Sequence, residues 1–365
     1  MQVVVLIGGL GTRLYPLTYT TPKCLLPIGN KHFLSILLDW LKRNAVTDVV
    51  FAVSHFAPTI AEFIKSDLAD CGIPITLRHE TDPLGSAGAL VNCADLLQDD
   101  FILLNGDVLM DLNLEELIEF HRKNSAAVTT TVSEVDDPSH YGILDVQEDG
   151  RTLDWQEKPT REDAKSKWGN VGAWAMTKRV LDFIPAGRFT SLEKETFPQI
   201  LAEGLLFYAY KFKGYWKDIG TVDKYVQANR DLLNGVISGL QPAGKEIQPG
   251  IWVESPECVP DDIQVTSPAA IGKDCRIGSG VKLAGPVVIG SDVQIGDGVQ
   301  MASTVVWHGA SVGSGTKMSS SVLGGATIGA ECVLNPGCVV ATNSAVADRS
   351  VLASNTSLGP GSRLP

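Results

Sequence analysis

Apolar and polar positions follow two different rhythms along the chain. Up to about residue 235, short apolar runs alternate with segments in which apolar residues recur every three or four positions. The short runs predict strands, and the periodic segments predict amphipathic helices. This alternation predicts an α/β fold with a Rossmann-like mixed, mostly parallel sheet that helices cover on both faces.

The element boundaries follow from the same pattern. Strands are expected at residues 3–7, 48–54, 75–78, 101–104, 127–132, 143–146, 171–175 and 206–212. Helices are expected at residues 33–43, 87–96, 114–124 and 222–233. Asn113 and Glu116 are spaced as a capping box for the third helix, and Thr221 is placed to cap the fourth.

The second rhythm has a period of six residues. Apolar residues recur at Ile271, Ile277, Leu283, Ile289, Ile295 and Met301, then at Val306, Val312 and Met318, and again at Ile328, Leu334, Val340 and Val346. One inward side chain per hexapeptide predicts a left-handed parallel β-helix of roughly four to five triangular coils. An irregular β-sandwich would explain neither the period nor the repeated Ile-Gly pairs.

The change of rhythm divides the 365 residues into predicted parts. An α/β domain occupies residues 1–235, a Pro- and Gly-rich linker 236–262, the β-helix 263–352 and a tail 353–365. The open end of a stacked coil exposes strand edges that need cover. We therefore expect a homo-oligomer, a dimer or larger, that involves the β-helix.

Composition narrows the class of protein. A hydrophobic content of 44% and a charged content of 20% are ordinary for a globular chain. The net charge of −12 argues against nucleic-acid binding, because that affinity comes mostly from neutralised phosphates. No run approaches the ~20 apolar residues of a membrane span, and the N-terminus lacks a signal peptide's basic lead-in. Seven cysteines without a C-x-x-C pair predict reduced thiols and a cytoplasmic protein.

The segment LIGGLGTRLYPLTYTTPKCLLP near the N-terminus carries the strongest chemical signal. A buried strand breaks into Gly8, Gly9 and Gly11, and Arg13 and Lys23 follow. Glycines let backbone N–H groups approach an anion closely, and a guanidinium can grip phosphate oxygens with two hydrogen bonds. These features predict a polyphosphate site.

Spacing separates this site from other phosphate loops. A dinucleotide fingerprint requires a third glycine where Leu14 stands, and no Gly-Lys-Ser or Gly-Lys-Thr of a P-loop occurs in the chain. An ordinary Gly-rich turn with a surface arginine remains the alternative at this point.

Two aspartates are candidates for a divalent metal. Asp107 follows a predicted strand in Leu-Asn-Gly-Asp, at the carboxyl edge where ligands bind in open α/β sheets. Asp218 lies in Tyr-Trp-Lys-Asp-Ile-Gly-Thr. Hard carboxylate oxygens suit Mg²⁺. A simple tight turn at Asp107 and a solvated carboxylate at Asp218 are the alternatives.

Residues 8–27 as a unit resemble the GGxGTRLxPLT…PKxLLP signature of the sugar-1-phosphate nucleotidyltransferases, also called nucleotide-sugar pyrophosphorylases. The resemblance covers essentially the whole chain, since a hexapeptide domain follows in many relatives. It implies a Mg²⁺-dependent enzyme that converts a nucleoside triphosphate and a sugar 1-phosphate into an NDP-sugar and pyrophosphate.

The resemblance also implies site residues. Those implied to be catalytic are Arg13, Lys23, Asp107 and Asp218, of which the two aspartates would hold the metal. Those implied to bind the nucleotide are Gly8, Gly9, Gly11, Thr12, Arg13, Gly85 and Gly88. Those implied to bind the sugar phosphate are Gly142, Glu157, Lys158 and Asn170, although Val171 stands where relatives usually carry alanine.

The segment Leu-Gly-Ser-Ala-Gly at residues 84–88 is most similar to that of mannose-1-phosphate guanylyltransferases. The expected substrates are therefore GTP and mannose 1-phosphate, giving GDP-mannose. A glucose-1-phosphate thymidylyl- or uridylyltransferase and a non-catalytic regulatory subunit that binds nucleotide sugars are the alternatives. A third hypothesis gives the β-helix acyltransferase activity through His308.

Overall fold

The computed structural model describes residues 1–365. The chain divides into two compact units, which are described in turn. The first comprises residues 1–9 and 37–216, and the second comprises residues 10–36 and 217–365. None of the helices combines the length and the apolar character that a bilayer crossing requires.

A nine-stranded mixed sheet forms the centre of the first unit. Its strands are Gln2–Leu6 (β1), Asp48–Val53 (β2), Ile75–His79 (β3), Asp100–Asn105 (β4), Val128–Glu134 (β5), Gly142–Val146 (β6), Thr152–Glu157 (β7), Trp168–Thr177 (β8) and Phe207–Lys211 (β9). The order is β7-β6-β8-β4-β1-β2-β3, and β5 pairs with both β8 and β9. β1 runs parallel to β2 and β4, whereas β8 runs antiparallel to β4. The predicted α/β fold with a mixed sheet is confirmed.

The central strands lack alternation because both faces of the sheet are covered. Val3, Val4 and Val5 of β1 and Ile102 and Leu103 of β4 are all 0% exposed. Near-continuous apolar runs of this kind are typical of buried parallel strands.

The helices are Phe33–Arg43 (α1), Ala57–Asp67 (α2), Gly85–Asn92 (α3), Leu114–Lys123 (α4), Phe197–Ala202 (α5) and Val222–Leu233 (α6). The predicted cap at Thr221 is confirmed, since its Oγ1 accepts from Lys224 N. Asn113 caps α4 by accepting from the backbone N–H groups of Glu115 and Glu116. Glu116 Oε1 accepts from the Asn113 side-chain Nδ2 instead of its backbone N–H, so the reciprocal bond of a capping box is replaced by a side-chain bond. The sequence pattern misses α2, α5 and β7, because each of them buries only two of its residues.

Three parallel ladders form a left-handed parallel β-helix in the second unit, as predicted. The first contains Ile251–Val253, Ala269–Ile271, Val287–Ile289, Val305–Val306, Val322–Leu323, Val339–Val340 and Ser357–Leu358, with Lys245–Gln248 antiparallel at its edge. The second contains Gln264–Thr266, Lys282–Ala284, Gln300–Ala302, Lys317–Ser319, Val333–Leu334 and Val351–Leu352. The third contains Arg276–Ile277, Gln294–Ile295, Ser311–Val312, Thr327–Ile328, Ala345–Val346 and Arg363–Leu364. Short strands outside these sheets are Pro27–Ile28, Lys31–His32, Val108–Met110 and Trp216–Asp218.

The β-helix is longer than the sequence pattern predicts. Two of its ladders contain six strands each, so it has about six coils instead of four to five. Ile251–Val253 lies within the predicted linker, and Ser357–Leu358 and Arg363–Leu364 lie within the predicted tail. The terminal coils carry more polar and partly exposed residues, which obscures the six-residue rhythm there.

The second unit joins helix α6 and the N-terminal signature segment to the β-helix. The Tyr225 hydroxyl donates to the carbonyl of Pro27 at 2.6 Å and accepts from Trp307 Nε1 at 2.9 Å. Tyr225 is fully buried, and this desolvation raises its pKa. Residues 10–36 and 217–235 therefore group with the β-helix, although the sequence analysis places them in the domain 1–235.

Candidate active site

The signature begins directly after β1. A Cβ on Gly8 would lie 2.7 Å from Ser54 Oγ, which donates to the carbonyl of Gly8 at 2.6 Å. Around Gly9, by contrast, a Cβ would meet no atom within 4 Å. The first glycine is thus required by packing, and the second leaves its backbone open to a ligand.

Gly11 turns the chain into a short 3₁₀ helix, Thr12–Leu14. It has a left-handed conformation at φ 66°, which favours glycine. Its carbonyl accepts from Thr18 Oγ1 and from Leu14 N, both at 2.8 Å. These bonds fix the turn that carries Thr12 and Arg13, and both of these residues are exposed.

Gly220 allows a cation and a carboxylate to approach one another. A Cβ at this position would lie 2.8 Å from Arg13 Nη2 and 2.7 Å from Asp218 Oδ2. The other oxygen of Asp218 accepts a hydrogen bond from Lys224 Nζ. The Lys23 Cβ lies 3.4 Å from where a Cβ of Gly11 would stand. The second unit therefore brings Gly11, Arg13, Lys23 and Asp218 together.

Sequence reasoning did not identify Lys224. It lies in the first turn of α6, six residues after Asp218, and its ion pair orients that carboxylate. A lysine one turn into a helix that follows a candidate metal ligand is the signal that could have indicated this role.

Cys24 lies beside Lys23 but is buried, and desolvation raises the pKa of its thiol to about 12. The thiol therefore stays protonated at neutral pH, where a nucleophile would have to be a thiolate. Its role is packing beneath the signature segment.

Asp107 lies in the first unit, in the turn after β4. Gly106 N donates to the carbonyl of Leu6 at 2.9 Å, and a Cβ on Gly106 would collide with Ile7 Cγ2 at 2.2 Å. The Asn-Gly-Asp turn is thereby fastened to the carboxyl end of β1. Asp107 takes part in a polar interaction of its own.

Asp107 in the first unit and Asp218 in the second each present a carboxylate, the type of ligand that a hard divalent cation prefers. No group of three or more His, Cys, Asp or Glu side chains that could hold a metal occurs in the structure. Mg²⁺ is commonly held by one or two carboxylates together with substrate phosphates. Two aspartates of this kind therefore match its chemistry.

Gly142 and Glu157 are register partners on β6 and β7. A Cβ on Gly142 would lie 2.4 Å from Trp155 Cζ2 and 3.2 Å from Glu157 Oε2, so the packing of the Trp155 ring requires glycine here. Lys158 Nζ lies 3.5 Å from Glu157 Oε1, and its side chain is 60% exposed. Lys158 has a φ of 51°. A left-handed conformation is costly for lysine and is found most often at functional sites.

Asn170 has its side chain fixed on β8. Its Oδ1 accepts from Thr130 Oγ1 at 3.1 Å and from Gly172 N at 3.0 Å. Val171 is only 2% exposed, so its additional bulk relative to alanine lies in the packed interior. The change therefore leaves the polar face of Asn170 intact.

An aromatic pair lies in the same unit. The rings of Tyr141 and Trp216 form an edge contact with centroids 5.3 Å apart. Trp174 is completely buried and is a packing residue. Trp168 lies under Lys211 Nζ, 4.9 Å from its ring centre.

The glycines at the start of α3 are required by close packing. A Cβ on Gly85 would lie 2.6 Å from the carbonyl oxygen of Thr190, and one on Gly88 would lie 2.9 Å from that of Arg188. Leu84 N donates to Glu80 at 3.0 Å, and burial raises the pKa of this carboxyl. The segment is thus held rigidly against the backbone of residues 188–190.

Replacing Gly85 with alanine is expected to destabilise the protein by at least about 1 kcal/mol more than replacing Gly187. Both glycines have left-handed φ values, 72° and 74°, but only Gly85 would clash with backbone. The strain of the left-handed conformation is about 1–2 kcal/mol in each case, and overpacking adds about 1–3 kcal/mol at Gly85. Urea denaturation of the two variants measures the difference, and equal losses would remove the packing explanation.

His308 and two cysteines of the β-helix have environments typical of structural residues. His308 is exposed, and its Nδ1 lies 3.3 Å from Asp292 at the surface. Cys332 and Cys338 are buried, and their thiols donate to backbone carbonyls. All seven cysteines are free in the structure.

Comparison with known proteins shows a family for each region. Residues 2–235 match the model of the nucleotidyl transferase family, and residues 261–361 match that of the GMPPB C-terminal domain. A UTP–glucose-1-phosphate uridylyltransferase of Synechocystis is 31% identical, over 95% of this chain and 92% of the relative. Mannose-1-phosphate guanylyltransferase 1 of Arabidopsis thaliana is 34% identical, over 88% of this chain and 90% of the relative.

Solved structures agree with these relationships. HddC from Yersinia pseudotuberculosis, complexed with GMP-PN, is 28% identical with a TM-score of 0.54, over 62% of this chain and 97% of that protein. A putative glucose-1-phosphate thymidylyltransferase from Bacillus anthracis is 25% identical with a TM-score of 0.57, over 63% and 94%. The signature loop, the mixed sheet and these matches together show that the chain belongs to the nucleotidyl transferase family.

Proposed function

We propose that this protein forms GDP-mannose and pyrophosphate from GTP and mannose 1-phosphate. The observation that carries the proposal is the cluster of Gly11, Arg13, Lys23 and Asp218 around one turn, in a chain of this family. Mannose-1-phosphate guanylyltransferases of Mycobacterium tuberculosis and Arabidopsis, both 34% identical to this chain, support the choice of substrates.

In this reaction an oxygen of the sugar phosphate attacks the α-phosphorus of the triphosphate. A new P–O bond forms, the bond between the α-phosphorus and the bridging oxygen to the β-phosphorus breaks, and pyrophosphate leaves with that electron pair. The attacking phosphate is already ionised near neutral pH, so no general base is required. The residues need only align two anions and stabilise charge on the leaving group.

The chain supplies groups for each task. We assign the open backbone at Gly9 and the exposed guanidinium of Arg13 to the triphosphate and the leaving pyrophosphate. Lys23 neutralises charge around the reaction centre. Asp107 and Asp218 would hold Mg²⁺, which supplies charge neutralisation on the phosphate oxygens when bound. Lys224 keeps the Asp218 carboxylate in position through their ion pair.

The first unit supplies the proposed site for the sugar phosphate. Lys158 would bind the phosphate, and Glu157 and Asn170 would accept hydrogen bonds from sugar hydroxyls. Glu157 is the register partner of Gly142 at the end of this strand pair. Gly85 and Gly88 would shape the segment next to the nucleobase. Mg²⁺ as the particular cation, self-association through the β-helix and a cytoplasmic location stay predictions.

Replacing Lys158 with glutamine is expected to raise the KM for the sugar 1-phosphate at least about tenfold while changing the KM for the triphosphate much less. A charge-assisted hydrogen bond to phosphate would be lost, and only the sugar substrate would use it. Steady-state kinetics with each substrate varied in turn measure both constants. Lys123→Gln, on the exposed face of α4, is the matched control. Equal changes in both KM values would remove Lys158 from the sugar-phosphate site.

A second pair of substrates, UTP with glucose 1-phosphate, is favoured by one observation. The Synechocystis uridylyltransferase matches 95% of this chain, more than the 88% matched by the Arabidopsis guanylyltransferase. Initial rates of pyrophosphate release, with five nucleoside triphosphates against the 1-phosphates of mannose, glucose, galactose and N-acetylglucosamine, decide between the pairs. The highest kcat/KM for GTP with mannose 1-phosphate is expected, and a preference for UTP with glucose 1-phosphate would replace the proposed pair.

A further inference from the structure

A cavity in the second unit has the features of a binding site that the proposed reaction does not use. It has a volume of about 620 Å³ and lies between helix α6, the β-helix and Tyr15 of the signature segment. Its lining contains one aromatic ring, one cation, one carboxylate, four serines and two amides, beside four valines, a proline and a cysteine. This combination suits a small polar ligand better than an apolar one.

Arg230 is the strongest feature of the cavity. It lies in the last turn of α6, and its Nε is buried without a hydrogen-bond partner. The nearest carboxylate in sequence, Asp231, is already engaged by Lys217 Nζ at 2.9 Å and by Gln227 Nε2 at 2.6 Å. A guanidinium has five donors in a rigid fork and remains charged at any physiological pH. Because Arg230 lines the cavity, an anion placed there would accept charge-assisted hydrogen bonds from the Nη donors of its guanidinium.

A carboxylate, Asp223, lies near the other end of the same face of α6. Asp223 also lines the cavity and is exposed, seven residues before Arg230. At a rise of ~1.5 Å per residue the two groups lie about 10 Å apart along the helix. A ligand that spans them would place an anion at Arg230 and hydroxyl donors at Asp223.

The wall of the cavity comes from one corner of the β-helix. Ser303, Ser320, Gly337 and Asn355 occupy equivalent left-handed turn positions on successive coils, with φ values of 51°, 44°, 83° and 62°. Stacked turns of this kind present a column of polar side chains to the cavity. A Cβ on Gly337 would overlap Asn355 Oδ1 at 2.1 Å, so glycine keeps the amide in the column.

We propose that this cavity binds a sugar phosphate whose phosphate group is held by Arg230. Asp223 would accept hydrogen bonds from the sugar hydroxyls, and the hydroxyl groups of Ser303 and Ser320 would accept from them or donate to them. The Tyr15 ring would cover one face of the sugar. A nucleotide is a poorer fit, because Tyr15 is the single aromatic ring in the lining. The site differs from the sugar-phosphate site proposed above, whose residues all belong to the other unit.

Binding of a ligand in the cavity would restrict the conformation of the signature segment. Tyr15 follows Arg13 by two residues, and its ring stacks on Tyr19 with centroids 3.9 Å apart. A ligand that contacts Tyr15 would hold the turn Thr12–Leu14 in one position. An effect on turnover rests on the proposed function, whereas binding itself does not.

The test is isothermal titration of the full-length protein with mannose 6-phosphate and glucose 6-phosphate. These probes carry no anomeric phosphate and so cannot be substrates of the proposed reaction. We expect at least one to bind, and Arg230→Gln to weaken that binding about tenfold to a hundredfold. Arg276→Gln, at an exposed position of the β-helix, is expected to leave it unchanged.

Further variants separate the sites and guard against misfolding. Lys158→Gln should leave probe binding intact, and the exposed Asp223→Asn should weaken it without affecting the thermal unfolding midpoint. If Arg230→Gln does not fold, Arg230→Lys takes its place. This variant keeps the positive charge but lacks the planar set of guanidinium donors. The proposal is overturned if neither probe binds, if Arg230 substitutions leave binding unchanged, or if Lys158→Gln abolishes it. Failure of the nucleotidyl transfer assay alone would leave this binding result standing.

Discussion

Asp107→Asn is expected to lower kcat at least about a thousandfold while the protein remains folded. The substitution keeps the shape of the side chain and removes the negative charge proposed to hold the metal. The turn itself should survive, because Gly106 fastens it to β1 through the hydrogen bond to Leu6. The dependence of the rate on Mg²⁺ concentration should also shift to higher concentration.

The control for this variant is Asp70→Asn, an exposed aspartate after α2 with no role in the proposed site. Turnover should be unchanged in the control, and both variants should keep the parent thermal unfolding midpoint within a few degrees. An Asp107→Asn enzyme with near-normal kcat and unchanged Mg²⁺ dependence would remove Asp107 from the site.

Arg13→Ala is the second large effect that we expect, a loss of about 10²–10³ in kcat. Loss of one preorganised donor to developing charge has this magnitude in other enzymes. The exposed guanidinium beside Gly220 has little packing to lose, so stability should be nearly unchanged. Arg13→Lys should recover only part of the rate, because an ammonium group lacks the planar fork.

Arg179→Ala, at an exposed position far along the sequence, serves as the matched control for charge. The comparison requires kcat and the KM for the triphosphate in each variant. A rise in KM with unchanged kcat would assign Arg13 to ground-state binding alone. Parent values of both constants would mean that the glycine backbone binds the phosphates without Arg13.

Local patterns predicted much of the fold. The buried run of β1, the cap at Asn113 and the bounds of α1 and α6 agree with the structure, because each depends on residues close in sequence. The six-residue rhythm likewise predicted the β-helix wherever an apolar residue marks every coil. Coils at both ends were missed where polar residues interrupt the rhythm.

Long-range contacts explain what the sequence could not predict. The bond between Tyr225 and Trp307 joins residues 82 positions apart, and no local pattern indicates it. The grouping of the signature segment with the β-helix follows from such contacts. The approach of Arg13 and Asp218 at Gly220 also depends on where side chains lie in three dimensions. The same is true of Arg230, whose Nε has no hydrogen-bond partner.

The site was predictable to the extent that a motif carries its own chemistry. The glycine loop with Arg13 and Lys23 could be proposed as a phosphate site from sequence, because phosphate binding favours glycine backbone and nearby cations. Lys224 could not, because a lysine on a helix is ordinary until its partner Asp218 is placed beside it. Family membership supports the reaction class, and the substrate pair rests on the relatives' names.

The most direct test of the account follows the phosphorus atoms of both substrates by ³¹P NMR. Full-length protein with Mg²⁺, GTP and mannose 1-phosphate is predicted to form GDP-mannose and pyrophosphate in equal amounts. When excess pyrophosphate is added, the reverse reaction should consume GDP-mannose and form GTP and mannose 1-phosphate again. Folded protein that leaves both substrates unchanged, or that releases GDP and inorganic phosphate instead, would contradict the account.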